Sequence, residues 1–272
     1  MSTAAADALE AGDVLFFPTL AFDIQPPERD LLTPAIASAA KNVSFDPGTG
    51  RIRGASLEGA RAARLRDLLS RFSGLASALA GRLLPRYGDR IEKGRASFRP
   101  VEIQGRASSW RKDDTRLHVD SFPATPVHGR RILRVFCNVN PHGRPRIWRI
   151  GDDFEQLARR FIGSCARPLP GTAAVLSLLR ITKSRRSPYD ALMLQLHDRM
   201  KADPDYQIGA PQTRVEFPSG STWMAFTDQV SHAAMAGQHQ LEQTFLLPVE
   251  AMIDERRSPL RILERITGRR LA

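Results

Sequence analysis

The spacing of hydrophobic residues changes near residue 95, from the period of a helix to that of a strand. Residues 56–85 carry apolar side chains three and four positions apart, which predicts one long helix, with Ser56 as its cap and a break allowed at Gly74. The residues of this helix that would face a core are Leu65, Leu68, Leu69, Phe72, Leu75 and Leu79. Further along, alternation of apolar and polar residues predicts strands at 96–104, 116–122, 131–140, 145–150, 213–217, 222–227 and 241–249.

Shorter segments complete the predicted order of elements. The chain begins with a short strand at 13–17, and a helix is expected at 29–42 with an interruption at Pro34. Residues 47–54 are predicted to form a turn-rich loop. Two more helices are inserted between the later strands, at 153–162 and at 188–201, the second with Ser187 as its cap and Pro188 in its first turn.

This order predicts an α+β fold in a single domain, 1–272. A mainly helical N-terminal part, 1–95, would pack on a sheet-rich core, 96–252, and a basic amphipathic segment, 253–272, would follow. Many short strands separated by Pro and Gly turns favour a barrel or a sandwich.

Composition and charge narrow the class of partner. Of the 272 residues, 42% are hydrophobic, which is enough for a substantial core, and the net charge of +11 favours an anionic partner: nucleic acid, an acidic membrane surface or an acidic small substrate. The two cysteines do not have the spacing of a metal cluster, and we interpret them as reduced thiols. Neither a signal peptide nor an apolar run of membrane-spanning length occurs, so we expect a cytoplasmic protein, soluble or peripheral.

The residues that suggest chemistry begin with His118 and Asp120. Residues i and i+2 of a strand point to the same face, so both side chains can reach one metal ion. A histidine on a neighbouring strand would complete the two-histidine, one-carboxylate face that leaves open positions on iron(II). We favour His232, which lies between two predicted strands, over the other histidines of the chain: His128, His142, His197 and His239.

Two long stretches resemble the Kdo hydroxylase family, where Kdo is 3-deoxy-D-manno-oct-2-ulosonic acid. They are SSWRKDDTRLHVDSFPATPVHGRRILRVFCNVNP at 108–141 and GSTWMAFTDQVSHAAMAGQHQLEQTFLLPVEAM at 220–252. The resemblance implies a double-stranded β-helix of the cupin or jelly-roll type, similar to JmjC proteins. It also implies hydroxylation of Kdo at its 3-position, on a lipid A precursor, to give Ko. Fe(II), 2-oxoglutarate and dioxygen would be required, with ascorbate as an activator, and His118, Asp120 and His232 would hold the iron.

The distal carboxylate of 2-oxoglutarate needs a cation. Many members of the superfamily place an arginine roughly ten residues after the distal histidine, where this chain has Gln243. JmjC-like members use a basic residue on the strand after the metal-binding motif. We therefore predict Arg134, whose planar guanidinium suits a carboxylate, with Asn138 as its polar neighbour. By the same alternation, Arg131 would lie on the outer face.

A phosphorylated sugar acid would be bound by cations near the metal. Arg111, Lys112 and Arg116 lead directly into the metal-binding strand, and they are the predicted substrate-binding residues. The basic run 180–186 is a weaker candidate for the same role.

The C-terminal segment 258–272 has an apolar stripe among arginines, with Ser258 as a cap and Pro259 in the first turn. This pattern is typical of a helix that lies on an anionic membrane surface. A short helix that caps the barrel with its leucines in the core would have the same pattern.

Three other functions fit parts of the sequence. A protein hydroxylase would use the same iron chemistry, whereas a non-oxidative metal-dependent cupin enzyme would need no 2-oxoglutarate. The basic charge would also fit a nucleic-acid-binding protein, but the chain lacks a helix-turn-helix, zinc-finger or aromatic-basic motif, so no nucleic acid is expected.

Overall fold

The computed structural model describes residues 3–38, 42–166 and 171–272, which form ten β-strands and seven α-helices. The strands are β1 Leu15–Phe17, β2 Val43–Asp46, β3 Arg51–Arg53, β4 Glu92–Arg99, β5 Arg131–Asn138, β6 Arg146–Ile150, β7 Thr213–Phe217, β8 Thr222–Phe226, β9 His232–Ala236 and β10 Gln240–Leu247. The helices are α1 Ala4–Ala11, α2 Gly59–Leu83, α3 Phe154–Ile162, α4 Thr172–Leu178, α5 Pro188–Ala202, α6 Pro204–Gly209 and α7 Pro259–Thr267.

The strands form two antiparallel sheets that face each other. The large sheet has the order β1-β8-β5-β10-β4-β2-β3, and the small sheet has the order β7-β6-β9. Their inner faces meet at a cluster of aromatic rings, where Phe136 of β5 and Trp223 of β8 contact Trp148 of β6 at centroid distances of 5.1 and 5.7 Å. Two facing antiparallel sheets joined in this way are the arrangement of a jelly roll.

The long helix α2 covers the outer face of the large sheet. It packs against β4, β10 and β2, and it runs through Gly74 without a break. Five of the six residues predicted to face the core are buried or partly buried, but the prediction for Leu75 is wrong, because its side chain is 54% exposed. The N-cap is Glu58 instead of the predicted Ser56.

The predicted strand at 116–122 is wrong, and the reason explains where the metal-binding motif lies. His118 forms a single bridge to His232 of the small sheet, whereas the backbone N–H of Asp120 donates to Thr227 O, just beyond β8 of the large sheet. The segment therefore crosses from one sheet to the other and cannot pair as a continuous strand with either.

The N-terminal part contains more strand than the sequence indicated. The expected helix at 29–42 is replaced by two short 3-10 helices, Pro26–Leu31 and Pro34–Ile36, and residues 39–41 lie outside the described ranges. The expected loop at 47–54 is the turn and second strand of the β2–β3 hairpin, which extends the edge of the large sheet. Helices α1, α4 and α6 and strand β9 were not predicted.

The C-terminal helix α7 caps the barrel. Ser258 accepts a hydrogen bond from the backbone N–H of Arg261, as predicted for a cap. Leu260, Ile262 and Leu263 are buried, as is Leu271 beyond the helix. The apolar stripe thus belongs to the core and is not available to a bilayer, so the structure corrects the expectation that 258–272 docks on a membrane. Among the described helices, none combines the length and the apolar character needed to cross a bilayer.

Arg131 also departs from its prediction, since its side chain is completely buried instead of lying outside. It forms an ion pair with Asp228 at 2.8 Å, and it donates to Gln229 Oε1 at 2.6 Å. The guanidinium lies 3.9 Å from the centre of the Phe226 ring. This pair ties the first residue of β5 to the turn that follows β8.

Replacing Arg131 with methionine should lower the free energy of unfolding by about 3–5 kcal/mol, because Asp228 would remain buried without its counter-charge. Urea unfolding followed by circular dichroism measures this change. Arg159→Met is the matched control: it breaks an exposed ion pair with Glu155 and should cost about 1 kcal/mol or less. Equal effects of the two substitutions would contradict the structural role of the buried pair.

Candidate metal centre

Three potential metal ligands meet where the two sheets join. His118 and His232 exchange both backbone hydrogen bonds, at 3.0 and 2.9 Å, which sets their side chains beside each other. Asp120 is two residues beyond His118. One ligand atom from each of these three residues lies within 4.8 Å of the other two, and His118 Nε2 is 3.8 Å from Asp120 Oδ1.

Each histidine is oriented by a hydrogen bond on the far side of its ring. His118 Nδ1 donates to the carbonyl oxygen of Arg116, and His232 Nδ1 donates to that of Val230, both at 2.8 Å. These bonds assign the proton to Nδ1 and leave the lone pair of Nε2 for a metal. Two neutral imidazoles and one carboxylate on one side of an ion are the donor set that non-haem iron(II) requires.

The electrostatics keep the three groups in the forms that bind a cation. Burial lowers the pKa of His118 and of His232, and each ring is therefore neutral at physiological pH. Burial alone would raise the pKa of Asp120. The charge of Arg134, together with smaller contributions from the two histidines, outweighs this effect, and the pKa of this carboxyl falls well below its usual range.

A chain of alternating charges supports the carboxylate ligand. Arg134 Nη1 lies 3.1 Å from Asp120 Oδ2 and 3.3 Å from Glu242 Oε1, and Arg99 Nη2 lies 2.9 Å from Glu242 Oε2. Arg134 therefore holds the oxygen of Asp120 that points away from His118, which leaves Oδ1 for the metal. Buried charges arranged in this order satisfy one another and fix the side chains.

The aromatic cluster closes the other side of the site. Trp148 stacks on the ring of His232 at 4.9 Å, and Phe217 stacks on Trp223 at 4.1 Å behind it. These rings restrict the orientation of His232 and keep water from that side of the centre.

A cavity of about 330 Å³ opens above the three ligands, a size within the range of small-molecule sites. Besides the ligands, it is lined by six cationic side chains and one further carboxylate, Asp114, so it favours anions. The cationic residues are Arg99, Arg111, Lys112, Arg134, Arg146 and Lys201.

Only one of the three residues predicted to bind 2-oxoglutarate lies at the cavity. Arg134 lines the cavity, but both of its ion pairs are with the protein. The amide of Asn138 donates to the carbonyl oxygens of Arg144 and Phe217, and that of Gln243 donates to Gly94 O and Thr244 O. Neither amide is among the groups that line the cavity.

Two of the three predicted substrate-binding residues lie at the cavity. Arg111 and Lys112 line the cavity, and Arg111 is 62% exposed with an ion pair to Asp198. Arg116 is turned toward Asp113 and donates to the carbonyl oxygen of Lys201 at 2.7 Å, so it is not brought to the cavity wall.

Two of the remaining histidines have informative positions. His197, one of the histidines not favoured as a metal ligand, lines the cavity with its ring edge-on to His118 at 5.4 Å. His239, another of them, is buried against Phe98, and burial lowers its pKa to about 4. It is absent from the cavity lining.

Arg146 is a buried cationic residue of the cavity that the sequence prediction missed. It is the first residue of β6, where alternation gives it the same face as Trp148. Its Nη1 donates to Gly237 O, Nε is buried without a partner, and burial lowers the pKa to about 9. In the part of the chain that the structure describes, no carboxylate forms an ion pair with Arg146, although Asp114, Glu102 and Glu242 act on it from further away. The alternation in PRIWRI was the signal that could have found it.

Facing antiparallel sheets that hold two histidines and a carboxylate define the class of non-haem iron oxygenases. The sequence profile of the 3-deoxy-D-manno-oct-2-ulosonic acid (Kdo) hydroxylase family matches residues 1–270. A comparison with curated proteins gave no match.

Solved structures give the same result. The chain is 46% identical to the Kdo hydroxylase KdoO in its crystal structure with cobalt(II), a non-haem Fe(II)- and α-ketoglutarate-dependent dioxygenase. The match has a TM-score of 0.97 and covers 100% of this chain and 93% of that one. The structure of KdoO with α-ketoglutarate (2-oxoglutarate) and Fe(III) matches at 44% identity, a TM-score of 0.96 and the same coverage. This chain belongs to the Kdo hydroxylase family of Fe(II)- and 2-oxoglutarate-dependent dioxygenases, and the predicted α+β double-stranded β-helix is confirmed.

Proposed function

We propose that this protein hydroxylates the 3-position of Kdo in a lipid A-linked precursor and produces Ko. The observation that carries this proposal is the convergence of His118, Asp120 and His232 at the base of a cationic cavity, in a chain of the Kdo hydroxylase family. The relative named above is a Kdo hydroxylase solved with cobalt(II) and with α-ketoglutarate and Fe(III). A cavity rich in arginine and lysine suits a sugar acid and the phosphates of its lipid.

Iron(II) would be held by Nε2 of His118, Nε2 of His232 and Oδ1 of Asp120. When bound, it supplies the oxidising power for breaking a C–H bond: one oxygen atom of O2 becomes the new hydroxyl group, and the other enters succinate as 2-oxoglutarate loses CO2. The residues of this chain fix the ligands, shield the centre with Trp148 and hold the two anionic reactants. Ascorbate would act as an activator by keeping the iron reduced.

Arg146 is the proposed partner of the distal carboxylate of 2-oxoglutarate. Arg134 and Arg99 are each neutralised by carboxylates of the protein, whereas Arg146 is a buried cation that forms no ion pair with the described residues. On β6, Arg146 is four residues from Ile150, which pairs with His232, a separation of roughly 13 Å along the strand. The arginine side chain and the five-carbon diacid together span this separation.

Arg134 has a different role in this account, because it holds Asp120 instead of the cosubstrate. Replacing Arg134 with methionine should weaken the binding of cobalt(II) by roughly 10–100-fold, the usual effect of losing a group that orients a metal ligand. Titration followed by the visible absorption of bound cobalt measures this change. Arg146→Met, the loss of a second buried arginine in the same cavity, is the control and should bind cobalt(II) normally. If Arg134→Met impairs only the use of 2-oxoglutarate, the original prediction for this residue is correct.

The cations at the cavity rim are proposed to bind the substrate's anions. Charge reversal at Arg111 or Lys112 should reduce kcat/KM for the lipid substrate, while the slow 2-oxoglutarate turnover that occurs without substrate continues. The reason is that these side chains line the cavity but are not among the three metal ligands. Succinate formation with and without the lipid gives both rates. Arg214→Glu on β7, whose side chain is 61% exposed, is the control for a general effect of charge. Equal loss of both rates would contradict a role in substrate binding.

The function itself is tested with purified protein, Fe(II), ascorbate, 2-oxoglutarate and a Kdo–lipid A precursor. The expected result is that succinate release depends on the lipid, and that mass spectrometry finds one added oxygen atom in its Kdo portion. Succinate release that is stimulated by a protein substrate and not by the lipid would instead identify a protein hydroxylase. Conversion of the lipid without succinate release would identify a non-oxidative enzyme.

A further inference from the structure

Helix α4 and two residues that follow it, Leu179 and Ile181, present large apolar side chains to solvent. Leu178 is 82% exposed, Leu179 62%, Ile181 54% and Val175 53%. No residue of α4 is buried. We call these four side chains the α4 surface. Contiguous apolar patches of this kind on a folded protein mark contact with a partner or with a membrane.

Cations surround the α4 surface. Residues 171–187 contain Arg180, Lys183, Arg185 and Arg186 and no Asp or Glu. Arg180, Lys183 and Arg185 are exposed. Exposed leucines among arginines and lysines are the combination with which peripheral proteins bind an anionic lipid surface, since the apolar groups enter the interface and the cations remain at the headgroups.

The loop that follows the α4 surface rests on the wall of the metal cavity. The backbone N–H of Lys183 donates to Ala124 O at 3.0 Å, and the Arg186 guanidinium donates to Pro123 O at 2.6 Å. Pro123 and Phe122 line the cavity above the metal ligands. The loop that follows α4 therefore rests on the segment 121–124, directly after Asp120.

We propose that the α4 surface docks the protein on an anionic lipid bilayer and holds the cavity against the lipid-linked sugar. The inference rests on the proposed function, because a substrate anchored in a bilayer must be reached at its surface. It assigns membrane contact to α4, whose leucines face solvent, and not to α7, whose leucines are in the core. A second copy of this chain suits the surface less well, since a two-fold interface would bring the same cations together.

The test measures binding to vesicles that contain no Kdo lipid, by flotation. The wild-type chain should bind vesicles of phosphatidylcholine with added phosphatidylglycerol, and binding should weaken as salt is raised. The double variant Leu178→Ser, Leu179→Ser should bind at least roughly tenfold more weakly than the wild type, because two leucines no longer enter the bilayer. Leu75→Ser is the matched control: it removes an exposed leucine from α2, which packs on β4, β10 and β2, and should leave binding unchanged.

A charge variant separates the two contributions. Arg180→Glu, Arg185→Glu should lose the preference for phosphatidylglycerol and most of the salt dependence. On substrate, the leucine variant should lose activity toward a Kdo lipid in vesicles and keep its activity toward a water-soluble Kdo glycoside. Vesicle binding needs no turnover, so binding that depends on α4 supports docking even if the soluble glycoside is not hydroxylated. Failure to hydroxylate the soluble glycoside would count against the proposed function alone.

Two results would overturn the inference. The first is equal vesicle binding by the wild type and the leucine variant. The second is a leucine variant that changes from dimer to monomer in analytical ultracentrifugation while vesicle binding persists, because α4 would then be an interface between copies of the chain.

Discussion

Replacing His232 with alanine will abolish turnover and reduce metal affinity. The loss of affinity should exceed the roughly 10–100-fold expected when a residue that only orients a metal ligand is removed. The remaining residues, His118 and Asp120, supply only two of the three protein ligands that the metal site needs. The fold should persist, since His232 pairs with His118 through backbone atoms that alanine retains. Cobalt(II) titration and circular dichroism measure the two properties on the same sample.

The control for this experiment is His197→Ala. His197 lies beside His118 in the same cavity, but it is not one of the three converging ligands. Its replacement should leave cobalt(II) bound with an unchanged spectrum of the coordinated metal. Retained metal binding in His232→Ala, together with its loss in His197→Ala, would transfer the ligand role to His197.

Replacing Arg146 with methionine should raise the KM for 2-oxoglutarate roughly thirtyfold or more. Loss of a buried charge-assisted contact costs about 2–5 kcal/mol, and each 1.4 kcal/mol corresponds to a factor of ten in binding. Cobalt(II) affinity should stay normal, because Arg146 contacts none of the three ligands. Steady-state succinate formation at varied 2-oxoglutarate measures the change.

The conservative variant Arg146→Lys distinguishes a bound carboxylate from a packing role. Lysine keeps the charge but loses the planar pair of donors, so it should recover part of the affinity for 2-oxoglutarate. If Arg146→Met has a normal KM for 2-oxoglutarate and Arg134→Met does not, then Arg134 holds the cosubstrate after all.

The metal site could be predicted from the sequence because its signal is local. His118 and Asp120 are two residues apart, a spacing that puts two side chains on the same face of an extended backbone. His232 needed the flanking strands and the family resemblance. The strand expected around them did not form, because His118 bonds to one sheet and Asp120 to the other. Which sheet a short segment joins is decided by tertiary structure.

The roles of the arginines could not be predicted, because they depend on partners far away in the chain. Alternation correctly placed Arg134 toward the cavity, but its contact with Glu242 on β10 is not visible in the pattern of β5. Arg131 was expected outside, and the buried Asp228 that retains it inside is 97 residues away. Arg146 forms no such ion pair with any carboxylate of the residues that the structure describes.

Helices α7 and α4 illustrate the same limit of periodicity. An apolar stripe with arginines around it describes α7 well, but it does not distinguish a core-facing helix from one on a membrane. The leucines of α4 belong to a short segment without a clear polar face, so no helix was predicted there. Only the neighbours of each helix decide which leucines are exposed, and those neighbours come from the folded chain.

The central claim, O2-dependent hydroxylation of Kdo, is tested most directly by isotope labelling. The protein is supplied with Fe(II), 2-oxoglutarate, a Kdo–lipid A precursor and 18O2, and the released sugar is analysed by mass spectrometry and NMR. The account predicts one 18O atom at the 3-position of Kdo and one in succinate. Label that comes from water, or an unchanged Kdo beside labelled succinate, would contradict it.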